Sequence, residues 1–136
     1  MGVKFTDNSI KVKAKINDTA VGWLYEASGE LEAQVKRNTK VKTGKTKGSW
    51  TYKVDETKME GYIGSNYENA VWEEFGTGEY ALNGDGRKGG WVYYDEAGVR
   101  HFTRGKTPRR ALFRAFASLK NKLIQMAQTK FRELDE

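Results

Sequence analysis

The chain has 136 residues, of which 38% are hydrophobic and 31% are charged, and its net charge is +6. This length and composition predict one soluble globular domain over residues 1–136, and they exclude an obligately disordered chain. The absence of cysteine excludes disulfides, thiolate zinc sites and a cysteine nucleophile, and no apolar run approaches the roughly 20 residues of a membrane span.

The charged residues are unevenly distributed along the chain. Residues 100–132 contain ten Lys or Arg and no acid, whereas residues 55–85 contain eight Asp or Glu and a single Lys. A second basic stretch covers residues 36–47. This pattern is typical of solvated surfaces, of a protein with a polyanionic partner, or of copies that meet basic face to acidic face.

The N-terminal third predicts a strand followed by a helix. Residues 9–16 alternate polar and apolar side chains, which predicts a half-buried strand. Asn17, Asp18 or Thr19 can then cap a helix over residues 19–37. The polar, glycine-bearing stretch of residues 39–48 predicts a loop. The buried stripe expected on the helix is Val21, Leu24, Ala27 or Ser28, Leu31 and Val35.

The middle of the chain predicts two hairpins around a short helix. Residues 49–54 and 61–64 form the first hairpin, and residues 91–94 and 99–102 form the second. Between them, residues 67–75 have helical spacing, and Gly76 suits the position after the helix because a positive φ costs glycine nothing. Residues 78–90 contain five glycines and predict an irregular loop.

The C-terminal third predicts an amphipathic helix of about 25 residues. Thr107 is its expected N-cap and Pro108 its first residue, where the missing N–H is harmless. Together with the hairpins, this predicts an α+β fold in which an antiparallel sheet of hairpins is packed by a long N-terminal and a long C-terminal helix. The expected core stripe of the C-terminal helix is Leu112, Ala115 or Phe116, Leu119, Leu123, Met126 or Ala127, and Phe131.

No catalytic, cofactor or metal site is predicted. Residues 84–89 match GxGxxG, but a strand-like segment follows them where a nucleotide site needs a helix. His101 is the single histidine, and no nucleophile, base and orienting group come together in the sequence. We therefore expect a protein that is not an enzyme and carries no cofactor.

A small basic nucleic-acid-binding domain is the alternative that the residues themselves suggest. Aromatic side chains amid positive charge bind single strands, and Trp91, Tyr93 and Phe102 lie close in sequence to Arg87, Lys88, Arg100 and Arg104. Alternating aromatic residues on strands are more often core residues, however, and no RNP-like or GXXG signature is present.

Three segments in order resemble a known phage family. They are Val41-Lys42-Thr43-Gly44 with Ser49-Trp50, then YENAVWEEFGTG at residues 67–78, then TPRRALF at residues 107–113. This arrangement resembles the tail-completion (head–tail joining) family of siphophages and prophages, over about residues 20–134. The sequence departs from the family pattern at Lys42, where an acid is common, and at Lys45-Thr46, where Arg-Leu is common.

The resemblance implies a structural virion protein that joins the DNA-filled head to the tail as a ring in the neck. The implied partners are head-closure or connector proteins and a tail terminator or tail tube protein. The ring is expected to be sixfold when assembled and the free protein monomeric, with non-specific contact to DNA, no membrane association, and the host cytoplasm as the place of assembly. A tail-terminator ring protein is a further alternative.

The resemblance also implies structural or interface positions in residues 74–78 and at the start of the Pro108 helix. An acidic patch that includes Glu68 and Glu79 is expected to meet arginines of a neighbouring copy. The expected interface residues are Trp72, Glu73, Glu74, Phe75, Gly76, Thr77, Gly78, Pro108, Arg109, Arg110 and Arg114. Two loops are expected to dock on partners and to become ordered on assembly, through Lys40, Lys42, Lys45, Lys47, Arg87 and Lys88.

Overall fold

A computed structural model describes residues 9–39 and 44–135. It confirms the α+β class, with a long helix at each end of the described chain and antiparallel hairpins between them. The elements in chain order are α1 (Ser9–Asn38), α2 (Gly44–Ser49), β1 (Trp50–Asp55), β2 (Glu60–Ser65), α3 (Glu68–Phe75), a 3-10 turn (Gly78–Tyr80), β3 (Trp91–Tyr94), β4 (Arg100–Thr103), α4 (Ala111–Arg132) and a final 3-10 turn (Glu133–Asp135).

The core lies between α1 and α4, which pack antiparallel. Near one end, Asn38 Nδ2 donates a hydrogen bond to the carbonyl of Ala111. Near the other, Lys130 Nζ lies 3.2 Å from Glu26 Oε1. Burying the facing apolar stripes removes their surface from water, which is the main stabilising term for such a layer. The buried apolar residues are Ala27, Leu31, Val35, Trp50, Ala70, Ala111, Ala115 and Leu123.

The strand predicted at residues 9–16 is wrong, because these residues belong to α1. Of its apolar positions, Ala14 and Ile16 are exposed, so these two do not belong to a buried face. The predicted cap residues lie inside the helix, and Thr19 Oγ1 donates a hydrogen bond to the carbonyl of Lys15 one turn earlier. Residues 9–21 contain no Gly or Pro, so no helix-breaking residue interrupts the first half of this helix, which is roughly 45 Å long.

The two predicted hairpins are confirmed, and they form two separate two-stranded sheets. In the first sheet Trp50 pairs with Ser65 and Asp55 with Glu60. This sheet packs on α1, since the Trp50 indole is buried and its Nε1 donates a hydrogen bond to Thr39 Oγ1. In the second sheet β3 and β4 pair only with each other.

The loop predicted at residues 39–48 is corrected where the structure describes it, because residues 44–49 form the one-turn helix α2. Thr46 is buried and accepts a hydrogen bond from Asn69 of α3. Ser49 Oγ donates a hydrogen bond of 2.7 Å to the carbonyl of Thr46. A polar stretch thus becomes helical because its threonine side chain is held by a neighbouring helix.

The predicted start of the C-terminal helix is also wrong. The helix begins at Ala111, and Arg110 precedes it in a left-handed conformation with φ 59°. Thr107 and Pro108 are not its first residues, because the backbone around them pairs with another segment, as described below. On the helix itself, Ala115 and Leu123 are buried, while Phe116 is 47% exposed.

Candidate assembly surface

Residues 73–79 and 104–109 run alongside each other and form a junction between α3 and α4. Thr77 N–H donates a hydrogen bond to the carbonyl of Lys106 (3.0 Å), and Glu79 N–H donates one to the carbonyl of Arg104 (2.9 Å). Arg109 N–H donates to the carbonyl of Glu73 (2.7 Å). The structure therefore joins, within one chain, the two segments that the sequence analysis singled out; we call this pairing the junction.

Glu74 fastens the junction to α4. Its side chain is only 5% exposed, and its two carboxylate oxygens accept hydrogen bonds from the N–H groups of Leu112 (2.9 Å) and Phe113 (3.0 Å). These donors belong to the first turn of a helix, where N–H groups have no intrahelical partner. A carboxylate there also interacts favourably with the positive end of the helix dipole.

Arg110 lies over this carboxylate and between two phenyl rings. Its Nε is 3.9 Å from Glu74 Oε1. The guanidinium carbon lies 4.7 Å from the ring centre of Phe113 and 5.6 Å from that of Phe75. Its Nη1 is buried and has no hydrogen-bond partner among the described residues, so contacts with the ring faces offset part of the cost of burying the charge.

The glycines of the junction are required by close backbone approach. Gly76 has φ 74°, and an added Cβ would lie 2.8 Å from the ring of Pro108. Gly78 has φ 62°, and an added Cβ would overlap the carbonyl of Arg104. The predicted role of Gly76 at the end of α3 is confirmed, because it follows the helix with a positive φ and donates its N–H to the carbonyl of Trp72.

Large aromatic side chains are exposed around the junction. Trp72 is 48% exposed, Phe75 is 45% exposed and Phe113 is 57% exposed. Trp72 and Phe75 lie three residues apart on α3, so they are neighbours on its surface. We call these three residues the aromatic patch; with Arg110 between two of its rings, it has the composition that is enriched at the centres of protein interfaces.

A cleft of about 680 Å³ separates α3 from the β3–β4 hairpin. Aromatic residues Trp72, Trp91 and Tyr93 line it together with the cationic residues Arg87 and Lys106. The guanidinium of Arg87 lies 5.6 Å from the ring centre of Trp91. The structure thus brings part of the predicted aromatic and basic set together, and it adds Trp72 from α3.

The charged residues expected to meet a neighbouring copy are partly engaged within their own chain. Glu74 and Arg110 contact each other, and Glu79 lies 3.1 Å from Arg104. Arg114 donates hydrogen bonds to the carbonyls of Arg109 and Asn38. Glu68 and Arg109 are exposed, so their charges are accessible to a neighbouring copy.

The expected docking residues lie in different settings. Lys40 and Lys42 lie outside the described residues, whereas Lys45 and Lys47 belong to α2. Arg87 and Lys88 are exposed in the glycine-rich segment. That segment is tied to the junction at two points, since Leu82 N–H donates to the carbonyl of Phe75 and Gly89 N–H donates to Glu79 Oε1.

An apolar groove of about 630 Å³ lies between α1, β2 and α4. The sequence did not predict this groove, because the expected core stripe of α4 took in Ala115 or Phe116 and left Phe113, Lys120 and Ile124 without a role. Phe113, Phe116 or Ala117, Lys120 and Ile124 are three or four residues apart, which is the signal for a second apolar face. The lining includes Leu24, Ile63, Phe113, Phe116 and Ile124.

The described part of the chain offers no metal site or membrane helix. Within it, no three His, Asp or Glu side chains are placed to hold an ion. His101 Nε2 lies 2.8 Å from Asp95 Oδ2 in the hairpin turn, and its ring stacks on Tyr93. Across residues 9–39 and 44–135, no helix has the length and apolarity to cross a membrane.

Comparison with known proteins identifies the family. No curated protein and no solved structure matches the chain. Residues 4–76 match the family described as "Bacteriophage HK97-gp10, putative tail-component", which is more than half of the chain and confirms the resemblance seen in the sequence. The matched region extends through α1, the first hairpin and α3 to Gly76, which lies within the junction. The chain belongs to the HK97-gp10-like family of bacteriophage tail components.

Proposed function

We propose that the protein joins the DNA-filled head to the tail as a structural, non-enzymatic ring subunit in the neck of the virion. Membership in a family of phage tail components supports a place in the virion. The finer assignment rests on the aromatic patch, because three exposed aromatic side chains on a braced junction are suited to binding another protein. The ring is sixfold, and it assembles in the host cytoplasm from free monomers.

The aromatic patch is suited to a docking site because it is both apolar and rigid. Exposed aromatic rings lose little conformational entropy on binding, since they have only two side-chain torsions. Glu74 and the backbone pairs of the junction hold Phe75 and Phe113 in place before any partner arrives. Pre-organisation of this kind lowers the cost of association. The partners that this role requires are a head-closure or connector protein on one side and a tail terminator or tail tube protein on the other.

The test is a phage or prophage that carries Trp72→Ser in this gene. Loss of a central aromatic anchor typically costs an interface at least about 2 kcal/mol. We expect filled heads and complete tails to accumulate separately, as seen by electron microscopy of the lysate. Adding purified wild-type protein to that lysate should restore joined particles.

Tyr62→Ser is the matched control, because Tyr62 is 47% exposed and lies on β2, outside the patch. This variant should yield normal particles. Normal head–tail joining by Trp72→Ser would contradict the proposal. DNA-filled heads together with tails of abnormal length would instead indicate the tail-terminator role.

The cleft beside β3 favours one second candidate, a small nucleic-acid-binding domain. Trp72, Trp91 and Tyr93 face a shared space with Arg87 and Lys106, and stacking on aromatic rings amid cations binds single strands without sequence preference. Trp91→Ala should then weaken binding of a single-stranded oligonucleotide by about tenfold, as expected for one stacked base. Tight binding of single strands at physiological salt, together with normal joining by Trp72→Ser, would favour this candidate.

A further inference from the structure

The cleft between α3 and the β3–β4 hairpin has aromatic walls and a cationic lining. Trp72 belongs to α3, whereas Trp91 and Tyr93 belong to β3. Arg87 and Lys106 also line the cleft, and none of the acidic side chains that the structure describes does. Its volume of about 680 Å³ lies in the range of pockets that enclose a small ligand. The cleft therefore suits a short ligand with both apolar and anionic groups.

Both cations of the cleft have hydrogen-bond donors to offer to an anion. Neither forms an ion pair with a described carboxylate. Lys106 Nζ donates one hydrogen bond, of 3.0 Å, to the neutral amide oxygen of Asn69, and an ammonium group has three donors. The guanidinium of Arg87 lies 5.6 Å from the ring centre of Trp91, a contact that leaves its N–H groups available to an acceptor.

The other charged side chains near the cleft restrict the anion to a short one. Arg104 lies 3.1 Å from Glu79, so that cation is already paired. Glu73 Oε1 lies 3.4 Å from an amide nitrogen of the cleft lining. On either side of Arg87 in the sequence, Asp85 and Lys88 are exposed and of opposite sign. The excess positive charge is therefore local, and carboxylates lie beside it.

This arrangement favours an acidic peptide over a nucleic acid strand. Proteins that bind single strands carry positive charge along a groove of about 4–16 nucleotides. Here a longer strand would bring its phosphates close to Glu73 and Glu79, and like charges oppose such a contact. A peptide needs only the two cations and the aromatic walls. The cleft is also continuous with the aromatic patch, because Trp72 belongs to both.

We propose that the cleft binds a short acidic segment of a partner protein in the neck. Carboxylates of that segment pair with Arg87 and Lys106. An apolar side chain between them packs against Trp72, Trp91 and Tyr93. This inference rests on the proposed function, and it names the chemistry of the partner segment that the joining protein recognises.

A blocked peptide of sequence Gly-Glu-Phe-Asp-Gly is the probe, titrated into the full-length protein. The indole N–H signal of Trp91, identified by its loss in Trp91→Phe, is followed by NMR. The peptide Gly-Gln-Phe-Asn-Gly should bind about tenfold more weakly, because it lacks the two charge-assisted pairs. The peptide Gly-Glu-Ala-Asp-Gly should also bind about tenfold more weakly, because no ring enters between the aromatic walls.

Arg87→Gln and Lys88→Gln form a matched pair of protein variants. Both residues are exposed, both changes remove one positive charge, and only Arg87 lines the cleft. Arg87→Gln should weaken binding of the acidic peptide about fivefold, as expected for one lost charge-assisted pair. Lys88→Gln should change it by less than about twofold, the effect of one unpaired surface charge. Circular dichroism verifies that both variants are folded.

Two results would overturn the proposal. One is equal binding of the acidic peptide and its Gln/Asn counterpart, or equal losses in Arg87→Gln and Lys88→Gln. The other comes from titrating pentathymidylate under the same conditions. If that oligonucleotide shifts the Trp91 signal and binds more tightly than the acidic peptide, the occupant is a nucleic acid strand.

The peptide titration and the phage experiment fail independently. If the acidic peptide does not bind while the Trp72→Ser phage accumulates separate heads and tails, the cleft is not the recognition site and the joining role stands. If the peptide binds with the expected preferences while the Trp72→Ser phage joins normally, the cleft site stands and the joining role is overturned.

Discussion

The carboxylate of Glu74 acts as the N-terminal cap of α4 from the last turn of another helix. It accepts the N–H groups of Leu112 and Phe113, 38 and 39 residues away along the chain. The residue before the helix is Arg110, which has no side-chain oxygen to offer as a cap. Removing a buried carboxylate that accepts two charge-assisted hydrogen bonds beside a guanidinium costs more than removing one partner of a surface ion pair.

Replacement of Glu74 by alanine should destabilise the protein by about 3 kcal/mol, because it leaves two N–H groups and the partly buried Arg110 charge without their acceptor. Glu74→Gln keeps one acceptor oxygen, so its stability should lie between that of the wild type and that of Glu74→Ala. Glu68→Ala is the control; Glu68 is exposed in the first turn of α3, and its loss should cost about 0.5 kcal/mol. Urea unfolding measures all three, and equal losses for Glu74→Ala and Glu68→Ala would contradict the capping role.

Two positions on α4 distinguish the core stripe from the groove stripe. Leu123 is 7% exposed and Phe116 is 47% exposed. Leu123→Asp should cost about 4 kcal/mol, because it buries a charge without a partner, whereas Phe116→Asp should cost about 1 kcal/mol. Thermal melting monitored by circular dichroism checks the order. A larger loss for Phe116→Asp would show that this side chain belongs to the core.

At the scale of elements, the junction is the connection on which the position of α4 depends. The segment before α4 pairs with the segment after α3, and for this reason α4 begins only at Ala111. The pairing needs close approach at Gly78, where no side chain fits above the carbonyl of Arg104. The family-like EFGTG segment is therefore structural in this chain, and it positions the aromatic patch.

Gly78→Ala and Gly84→Ala form a matched pair that isolates the close approach. Both glycines have a positive φ, 62° and 70°, but an added Cβ at Gly84 meets nothing within 4 Å. Gly84→Ala should therefore cost about 1 kcal/mol, the backbone term alone. Gly78→Ala should cost at least about 3 kcal/mol, because the backbones must also move apart. Chemical denaturation compares the two variants. Equal losses of stability would mean that the two backbones of the junction move apart at no cost in free energy.

The second hairpin has a pH-sensitive turn at Asp95. A hydrogen bond from His101, aided by one from the N–H of Val99, lowers the pKa of Asp95. A carboxyl whose pKa is lowered in the folded state stabilises that state above its ordinary pKa, and this stabilisation is lost as pH falls through the lowered value. The turn should therefore weaken in acid, below about pH 4.

An NMR titration of the Val99 amide proton measures this effect. Its N–H donates to Asp95 Oδ1 at 2.8 Å, so its resonance should shift as that carboxylate is protonated. Asp95→Asn is the control, because it keeps an acceptor and does not titrate. A Val99 shift that persists in Asp95→Asn would assign the titration to another group.

At the scale of the whole molecule, α1 neutralises part of the basic charge of α4. Lys122 lies 3.2 Å from Glu30, and Lys130 lies 3.2 Å from Glu26. Exposed pairs of this kind add little stability. They do reduce the positive potential that the C-terminal third of the sequence suggests, and they leave Lys120 at the rim of the groove.

Binding to duplex DNA should accordingly be weak, indifferent to sequence and steeply salt-dependent, since only phosphate neutralisation drives it. Lys120→Ala should lower the slope of log K against log salt by about 0.9, the value for one lost phosphate contact. Lys122→Ala should change the slope less, because Glu30 already neutralises that side chain. Fluorescence anisotropy over a salt series measures the slopes, and tight binding of one sequence at physiological salt would contradict this expectation.

Much of the fold was predictable because its signals are local. The two hairpins, α3 with Gly76 after it, and most of both long helices follow from side-chain periodicity and turn residues within about ten positions. The errors arose where local patterns are ambiguous. The alternating residues 9–16 belong to a helix whose residues 14–16 are exposed. Thr107-Pro108 has the sequence of a helix start, but the backbone around it pairs with residues 73–79 instead.

The sequence by itself determined the α+β class, the order of the two hairpins, α3 and the two long helices, and the family, because periodicity and motif spacing are properties of neighbouring residues. Only the tertiary structure decided that Glu74 caps α4, that Ala115 and not Phe116 enters the core, and that an apolar groove lies between α1, β2 and α4. These features depend on residues 38 or more positions apart, and their contacts are selected by packing between α1, α3 and α4, which no local pattern specifies.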